Sequence, residues 1–156
     1  MKRRDLLAAG TLGVALPAAW AHHGWSGFDQ DRPIYLEGKA VKVSWRNPHV
    51  EIDLELPAML QLPADLARRS VPAQSASVDG PKLLAAAQLP KRRDKVWEIE
   101  LAPLTRMEAW KVPEVKVGES VAVLGYIAPE EKGEPVLRAE YLFHAGKAYG
   151  LRSSPV

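Results

Sequence analysis

The sequence of 156 residues contains no cysteine. Disulfides, thiolate metal sites and cysteine nucleophiles are therefore excluded, and any metal site must use histidine, carboxylate, methionine or backbone ligands. A marked excess of charge is also lacking, because 21 basic and 19 acidic residues leave a formal net charge of +2. Since nucleic-acid binders carry a basic stripe or face, this balance argues against a nucleic-acid partner.

Signatures of the common enzyme classes are absent as well. The sequence has no Ser-His-Asp spacing, no Gly-rich phosphate loop and no zinc-hydrolase motif. Along two predicted strands, acidic side chains alternate with apolar ones, which indicates wet sheet faces and not a general acid–base pair: Glu51, Asp53, Glu55, Glu98 and Glu100. We therefore expect no catalytic residues and rank an enzyme, such as a copper-dependent oxidase, behind a binding module.

The first 21 residues predict a cleavable export signal. Residues 2–4 are basic, residues 6–16 form a short apolar stretch, and residues 19–21 (Ala-Trp-Ala) form a small-residue cleavage site. The apolar stretch is shorter than the ~20 residues that a transmembrane helix needs. The run Arg-Arg-Asp-Leu-Leu at 3–7 resembles the twin-arginine export motif, and an ordinary secretory signal is the alternative. Both predict cleavage after Ala21 and a periplasmic protein.

Cleavage would leave 135 residues (156 − 21), which is enough for a single hydrophobic core. The signal carries a net charge of +2, so the mature chain is formally about neutral with its histidines uncharged. We divide the chain into the signal 1–21, an irregular aromatic arm 22–33, a β domain 34–151 and a C-terminal tail 152–156.

Alternation of apolar and polar residues predicts five strands and a short sixth one. A short helix is expected from Pro103 to about Trp110, because proline suits the first turn of a helix. Gly38, inside the first strand, predicts a bulge or a sharp coil. The predicted strands span 34–45, 50–56, 95–101, 119–128, 135–144 and 147–151.

Residues 57–94 interrupt this pattern with five prolines, many small residues and the basic cluster 91–93. Their composition predicts a long, flexible and partly disordered insertion, with possible helical pieces at 58–69 and 82–88. We interpret the basic cluster as a solvated loop. Without this insertion, the element order is typical of an OB-fold, an all-β Greek-key barrel of five to six strands with one short helix. An up-and-down barrel or an open sandwich is the alternative.

Histidines are the chemically most informative residues, and there are four of them. Cleavage after Ala21 makes His22 the first residue, whose α-amine and imidazole can chelate one metal ion near neutral pH. A further imidazole would complete a nitrogen set that suits Cu(II), which heads the affinity order of the divalent ions. This arrangement resembles the histidine brace of copper monooxygenases and of some periplasmic copper-binding proteins.

The other histidines leave alternatives open. His49 follows a turn and His144 ends the fifth strand, and strand ends on one rim of a barrel can converge on the N-terminal arm. The structural alternative for His49 is a turn residue whose imidazole bonds to the loop of Asn47. The alternative for His144 is a solvent-facing end of a strand. Cleavage one residue earlier would place His23 third, as in amino-terminal copper and nickel motifs. The predicted metal ligands are His22, His23, His49 and His144, and copper is the expected ion.

Two runs of this sequence resemble a bacterial family of small exported proteins that is described as a domain of unknown function. They are Ala-His-His-Gly-Trp-Ser-Gly-Phe-Asp at 21–29 and a first strand that ends in Trp-Arg-Asn-Pro-His at 45–49. The resemblance covers residues 21–56 well and 96–143 loosely. It implies that His22, His23 and His49 belong to a recurring pattern, but it implies no activity. The insertion is longer than the connection that the family leads us to expect, and so is expected to add nothing essential.

The sequence therefore favours a periplasmic metal-binding module, with no transmembrane segment in the mature chain. The alternative is a metal-free OB-like domain that binds a protein, peptide or saccharide, with Trp25 and Phe28 of the arm lining a groove. In either case Trp45 and Trp97 are expected to pack in the core.

Overall fold

The computed structural model describes residues 24–156. The predicted signal peptide, His22 and His23 therefore lie outside the described residues. Within this range, none of the helices combines the length and the apolar character needed to cross a membrane. The strands are β1 (Ile34–Ser44), β2 (Glu51–Glu55), β3 (Val96–Glu100), β4 (Ser120–Ile127), β5 (Val136–His144) and β6 (Lys147–Gly150), and the α-helices are α1 (Gly80–Ala86) and α2 (Leu104–Ala109).

The first five strands close into a barrel. The sheet runs β3-β2-β1-β4-β5-β6, and a parallel pairing of β3 with β5 joins its two sides. All other neighbouring strands are antiparallel, and α2 connects β3 to β4. The predicted all-β, OB-like barrel is confirmed, with β6 as an additional strand on β5. Closure pairs the strand edges that an open sheet would leave exposed.

Strand β2 shows how the sequence pattern produces the barrel wall. Ile52 and Leu54 are 1% and 0% exposed. The acidic residues that alternate with them, Glu51, Asp53 and Glu55, are only half-buried. Trp97, on the neighbouring strand β3, is also buried in the core, as predicted. Trp45, directly after β1, is partly buried and packs against the same core. The alternation therefore places an apolar layer inside the barrel and an acidic face outside it.

The irregularity in β1 lies at a different residue from the one predicted. Its register against β2 shifts between Ala40 and Lys42, which makes Val41 the extra residue. Gly38 is required for another reason, because a Cβ atom there would collide with the carbonyl oxygen of Glu55 on β2. The glycine thus permits a close approach of two strands.

A second register shift corrects the predicted faces of β5. The alternation predicted Leu137, Ala139, Tyr141 and Phe143 on one face. Against β4, however, the register shifts at Glu140, which is the extra residue on β5. An extra residue reverses the side to which all later side chains point. Leu137 and Ala139, before the shift, therefore pack in the barrel core. Tyr141 and Phe143, after it, pack in a second, outer cluster.

Residues 57–94 form this outer layer, where their composition had predicted a flexible insertion. A short 3₁₀ helix (Leu66–Arg68) and α1 pack on the outside of the barrel. Leu66 and Leu84 are 3% and 2% exposed and contact the cluster that contains Tyr35 and Tyr141. Apolar residues that are scattered between prolines in the sequence thus converge in space. The insertion therefore contributes a second hydrophobic cluster.

The basic cluster at 91–93 is also less solvated than predicted. Arg92 donates hydrogen bonds of 2.9 Å to the carbonyl oxygens of Glu131 and Gly133. Its guanidinium lies 5.6 Å from the ring centre of Trp97 and forms an ion pair with Asp94. Arg92 therefore ties the end of the insertion to the loop between β4 and β5.

Replacement of Leu84 tests the outer layer. We expect Leu84→Ala to lower the free energy of unfolding by about 2–5 kcal/mol, because it leaves a cavity under α1. Leu62→Ala is the matched control: Leu62 is 41% exposed in the same insertion, and its loss should cost less than ~0.5 kcal/mol. Urea unfolding measures both values. Equal, small effects would mean that the insertion does not pack on the barrel.

Candidate functional site

The described chain begins beside a group of charged side chains at one end of the barrel. The ring centre of Trp25 lies 4.0 Å from the guanidinium carbon of Arg152 and 5.1 Å from that of Arg138. The ring also meets Tyr126 edge to face, with the ring centres 6.2 Å apart. Cations over an aromatic face and edge-on ring pairs are both attractive. The N-terminal arm is therefore attached to the barrel through Trp25.

Arg138 connects this aromatic residue to the first described histidine. Its side chain is 9% exposed, and its Nη1 atom lies 3.2 Å from a carboxylate oxygen of Glu100 on β3. Its Nη2 atom is 3.5 Å from Nε2 of His49. Because a guanidinium can only donate, His49 accepts at Nε2 if this contact is a hydrogen bond. Trp25, Arg138 and His49 thus form one chain of contacts at this end of the barrel.

The turn before β2 holds His49 in place. The side-chain oxygen of Asn47 accepts a 3.0 Å hydrogen bond from the backbone N–H of Leu104, the first residue of α2. Val50, directly after the histidine, donates to the carbonyl oxygen of Ala102 at 2.9 Å. His49 is therefore fixed from both sides by the segment that follows β3.

A second ion pair is buried behind Trp25. Glu140 is 0% exposed and accepts a 2.7 Å hydrogen bond from Nε of Arg152 and a 3.2 Å hydrogen bond from Gln74. Burial, followed by the negative charge of Glu140, raises the pKa of Tyr126 to about 12. A buried carboxylate is tolerated only when it is paired, so the C-terminal tail, through Arg152, completes this site.

A third guanidinium approaches the same end. Arg106 of α2 donates a 3.1 Å hydrogen bond to the carbonyl oxygen of Leu151. Burial and the nearby charge of Arg138 lower its pKa. The described part of this site therefore contains three arginines but only two paired carboxylates, Glu100 and Glu140.

His144 lies at the opposite end of β5. It lies six positions after Arg138 along the strand, which corresponds to ~20 Å. Its Nε2 atom is 3.7 Å from a carboxylate oxygen of Glu119, and the residue is 7% exposed. The predicted solvent-facing strand end is thus wrong. The structure does not bring His144 together with His49.

The described histidines do not form a metal cluster by themselves. Within residues 24–156, no group of three or more His, Cys, Asp or Glu side chains could hold a metal ion. The predicted ligands His22 and His23 lie outside this range, so the predicted set stays a prediction. Of the two described candidates, His49 lies near the start of the arm and His144 does not.

The acidic face of β2 and β3 adjoins this site, because Glu100 belongs to both. Glu51 lies opposite Glu100, and Asp53 lies opposite Glu98. Burial, followed by the charges of these acidic neighbours, raises the pKa of Glu98. Like charges that face each other across two strands destabilise a sheet. As predicted, these acidic side chains lie on the outer face of the sheet, where Glu98 is exposed.

Sequence reasoning missed the arginines of this site. Arg138 and Arg152 are unremarkable surface residues in the sequence pattern, and neither is among the predicted site residues. The available signal was the spacing of Arg138 and Glu140 within an apolar strand, since charged residues in such a strand need partners. Which partners they find depends on the closure of the barrel.

The described residues thus define a small all-β barrel with the OB-fold strand order and a cluster of paired charges at one end. Residues 11–60 of the chain are similar to a family described as a family of unknown function (DUF6152). This range includes His22, His23 and His49 and ends well before His144. No curated protein and no solved structure matches the chain. A resemblance to a family of unknown function is therefore confirmed, whereas the export signal and the recurring histidine pattern stay predictions.

The contact between Asn47 and α2 can be tested by substitution. We expect Asn47→Ala to lower the free energy of unfolding by about 1 kcal/mol, because the N–H of Leu104 loses its acceptor. Asn47→Asp keeps an acceptor oxygen and should stay close to wild type. Chemical denaturation compares the three proteins, and a wild-type value for the alanine variant would contradict the contact.

Glu98→Gln tests the acidic face through its pH dependence. The pKa of Glu98 is raised in the folded state, so its charge destabilises the fold above the usual carboxyl range and has no such effect once it is protonated. We expect the variant to be more stable by roughly 0.2–0.5 kcal/mol at pH 7 in low salt. Thermal unfolding should show this gain vanish as the pH falls below about 4, the unperturbed carboxyl range. A gain that is independent of pH would contradict this origin.

Proposed function

We propose that the chain, after removal of residues 1–21, is a periplasmic metal-binding module that holds a copper ion through His22, with His23 and His49 as further ligands. The position of Trp25 is the observation that supports this most. Trp25 lies against Arg138, which is also the side chain that approaches His49. An extended chain from Trp25 to His22 reaches ~10 Å. This reach supports a metal ion that His22 and His49 share.

The donors available to this ion are nitrogen atoms. A free N-terminal His22 offers an α-amine and an imidazole, and His49 adds a second imidazole. Such a set favours Cu(II) over the other divalent ions. The chelate needs a free amine on His22, so the proposal depends on cleavage after Ala21. The proposal also includes export by the twin-arginine route, which carries folded proteins.

The charges at this end also favour copper over calcium or magnesium. Glu100 and Glu140 already bind the guanidinium groups of Arg138 and Arg152. Hard cations need several oxygen ligands, which these paired carboxylates do not offer. With Arg106 nearby, the cluster is not anionic, and a cation must be held by strong nitrogen bonds. His144 takes no part, because the length of β5 separates it from this end.

Intact mass and copper titration of the exported protein test the proposal. We expect a mass that begins at His22 and one Cu(II) per chain. The matched control is a synthetic peptide of residues 22–28, which has the same N-terminus but lacks His49. The protein should bind copper at least tenfold more tightly than the peptide, a difference of ~1.4 kcal/mol.

Two histidine variants then assign the third nitrogen. His49→Gln should lower the copper affinity to that of the peptide, and electron paramagnetic resonance should show one nitrogen ligand fewer. His144→Leu should leave affinity and spectrum unchanged. A mass that begins elsewhere, or binding no tighter than that of the peptide, would contradict the proposal. The metal-free binding domain would then be the better interpretation, with Trp25→Ala as the variant to test in pull-down from periplasm.

A further inference from the structure

The segment before β3 presents two cations without a counterion. Residues 91–95 contain four basic side chains and one carboxylate. Two of the basic side chains form ion pairs, Arg92 with Asp94 and Lys95 with Glu55. Lys91 and Arg93 are exposed, and neither side chain has an ion-pair partner within residues 24–156. Two positive charges on this segment are therefore available to another molecule.

The backbone of this segment is fixed in position, and apolar surface lies beside it. The carboxylate of Glu131 accepts hydrogen bonds of 2.9 and 2.8 Å from the backbone N–H groups of Lys91 and Arg92. Arg93 lines a cleft together with Met59, which is 76% exposed. Arginine and methionine are enriched in protein interfaces. The unpaired cations therefore lie on a surface whose composition is typical of a contact with another protein.

The outer face of β2 and β3 carries the opposite excess of charge. Three of its five carboxylates form ion pairs, Asp53 with Lys42, Glu55 with Lys95 and Glu100 with Arg138. The other two, Glu51 and Glu98, have no ion-pair partner within the described part of the chain. They are diagonal neighbours across the two strands, where like charges are unfavourable. A cation from another molecule would relieve this repulsion.

Val96 lies between the two groups of unpaired charges. It is 39% exposed and points to the same side as Glu98, because Trp97 between them points into the core. Glu98 lies ~7 Å from Val96 along β3, and Arg93 precedes Val96 by three residues on the other side. A two-fold axis that crosses β3 at Val96 therefore brings the carboxylates of one chain toward the cations of a second copy.

One chain thus supplies both halves of a self-complementary surface, with two unpaired carboxylates and two unpaired cations. A partner that is only acidic or only basic would match one half and be repelled by the other. We propose that this surface joins two copies of the chain in a two-fold dimer, with Val96 at its centre and Glu98 of each copy facing Arg93 of the other. The contact uses none of the proposed copper ligands, so it can be tested independently of copper.

Analytical ultracentrifugation of the exported protein tests this dimer. At an ionic strength of about 20 mM we expect a reversible monomer–dimer equilibrium with a dissociation constant of about 0.1 mM, since a small and polar interface is transient. At about 500 mM salt the dissociation constant should rise about tenfold or more, because salt screens exposed charges. A monomer at all concentrations up to about 1 mM, or a dimer that salt does not weaken, would overturn the proposal.

Charge reversal connects the dimer to the named residues. Arg93→Glu and Glu98→Arg should each weaken association about tenfold or more, because each places like charges across the contact. An equimolar mixture of the two variants should associate as a heterodimer at least as tightly as the wild type, since opposite charges then meet at both positions. Both residues are exposed, so neither change threatens the fold.

Lys147→Glu and Glu108→Arg are the matched controls. They make the same changes of net charge at exposed positions outside β2 and β3. Each control, and their mixture, should associate like the wild type. A mixture of the two test variants that stays monomeric, or controls that lose association equally, would overturn the assignment to this surface.

Discussion

Parallel pairing between β3 and β5 is the contact on which the rest of the molecule depends. It closes the sheet into a barrel, and its register sets Glu100 beside Arg138. The ion pair between these two side chains then orients Arg138 toward His49 on one side and toward Trp25 on the other. If this pairing shifted by one residue, the side chains of Glu100 and Arg138 would no longer lie on the same side of the sheet. The charged cluster would then not form.

This arrangement requires that charged groups are buried at one end of the barrel. Glu140 is fully buried, and removal of Arg152 alone would leave an uncompensated charge. Arg152 belongs to the C-terminal tail and also contacts Trp25 of the N-terminal arm. The two ends of the described chain therefore meet at Arg152, which the buried carboxylate of Glu140 holds in place. This coupling gives Trp25 a defined position on the barrel.

Strand β5 separates two chemically different regions. Near its start, Arg138 belongs to the cluster with His49 and forms an ion pair with Glu100. At its end, His144 lines a cleft to which residues of the insertion contribute. The register shift at Glu140 lies between them and turns the later aromatic residues outward, against the insertion. Tyr141 and Phe143 can therefore join the outer cluster.

Local patterns in the sequence determined the strands, the helix after Pro103 and the barrel class. Alternation such as that of Ile52 and Leu54 depends only on neighbours along the chain, and so can be read without a structure. The same patterns singled out His49 and the arm, but they could not pair Arg138 with Glu100 or find a partner for Glu140. They also failed at the extra residue in β5 and in the insertion, whose apolar residues have no regular spacing. These features depend on contacts between segments far apart in sequence, and only the closed barrel decides which of them meet.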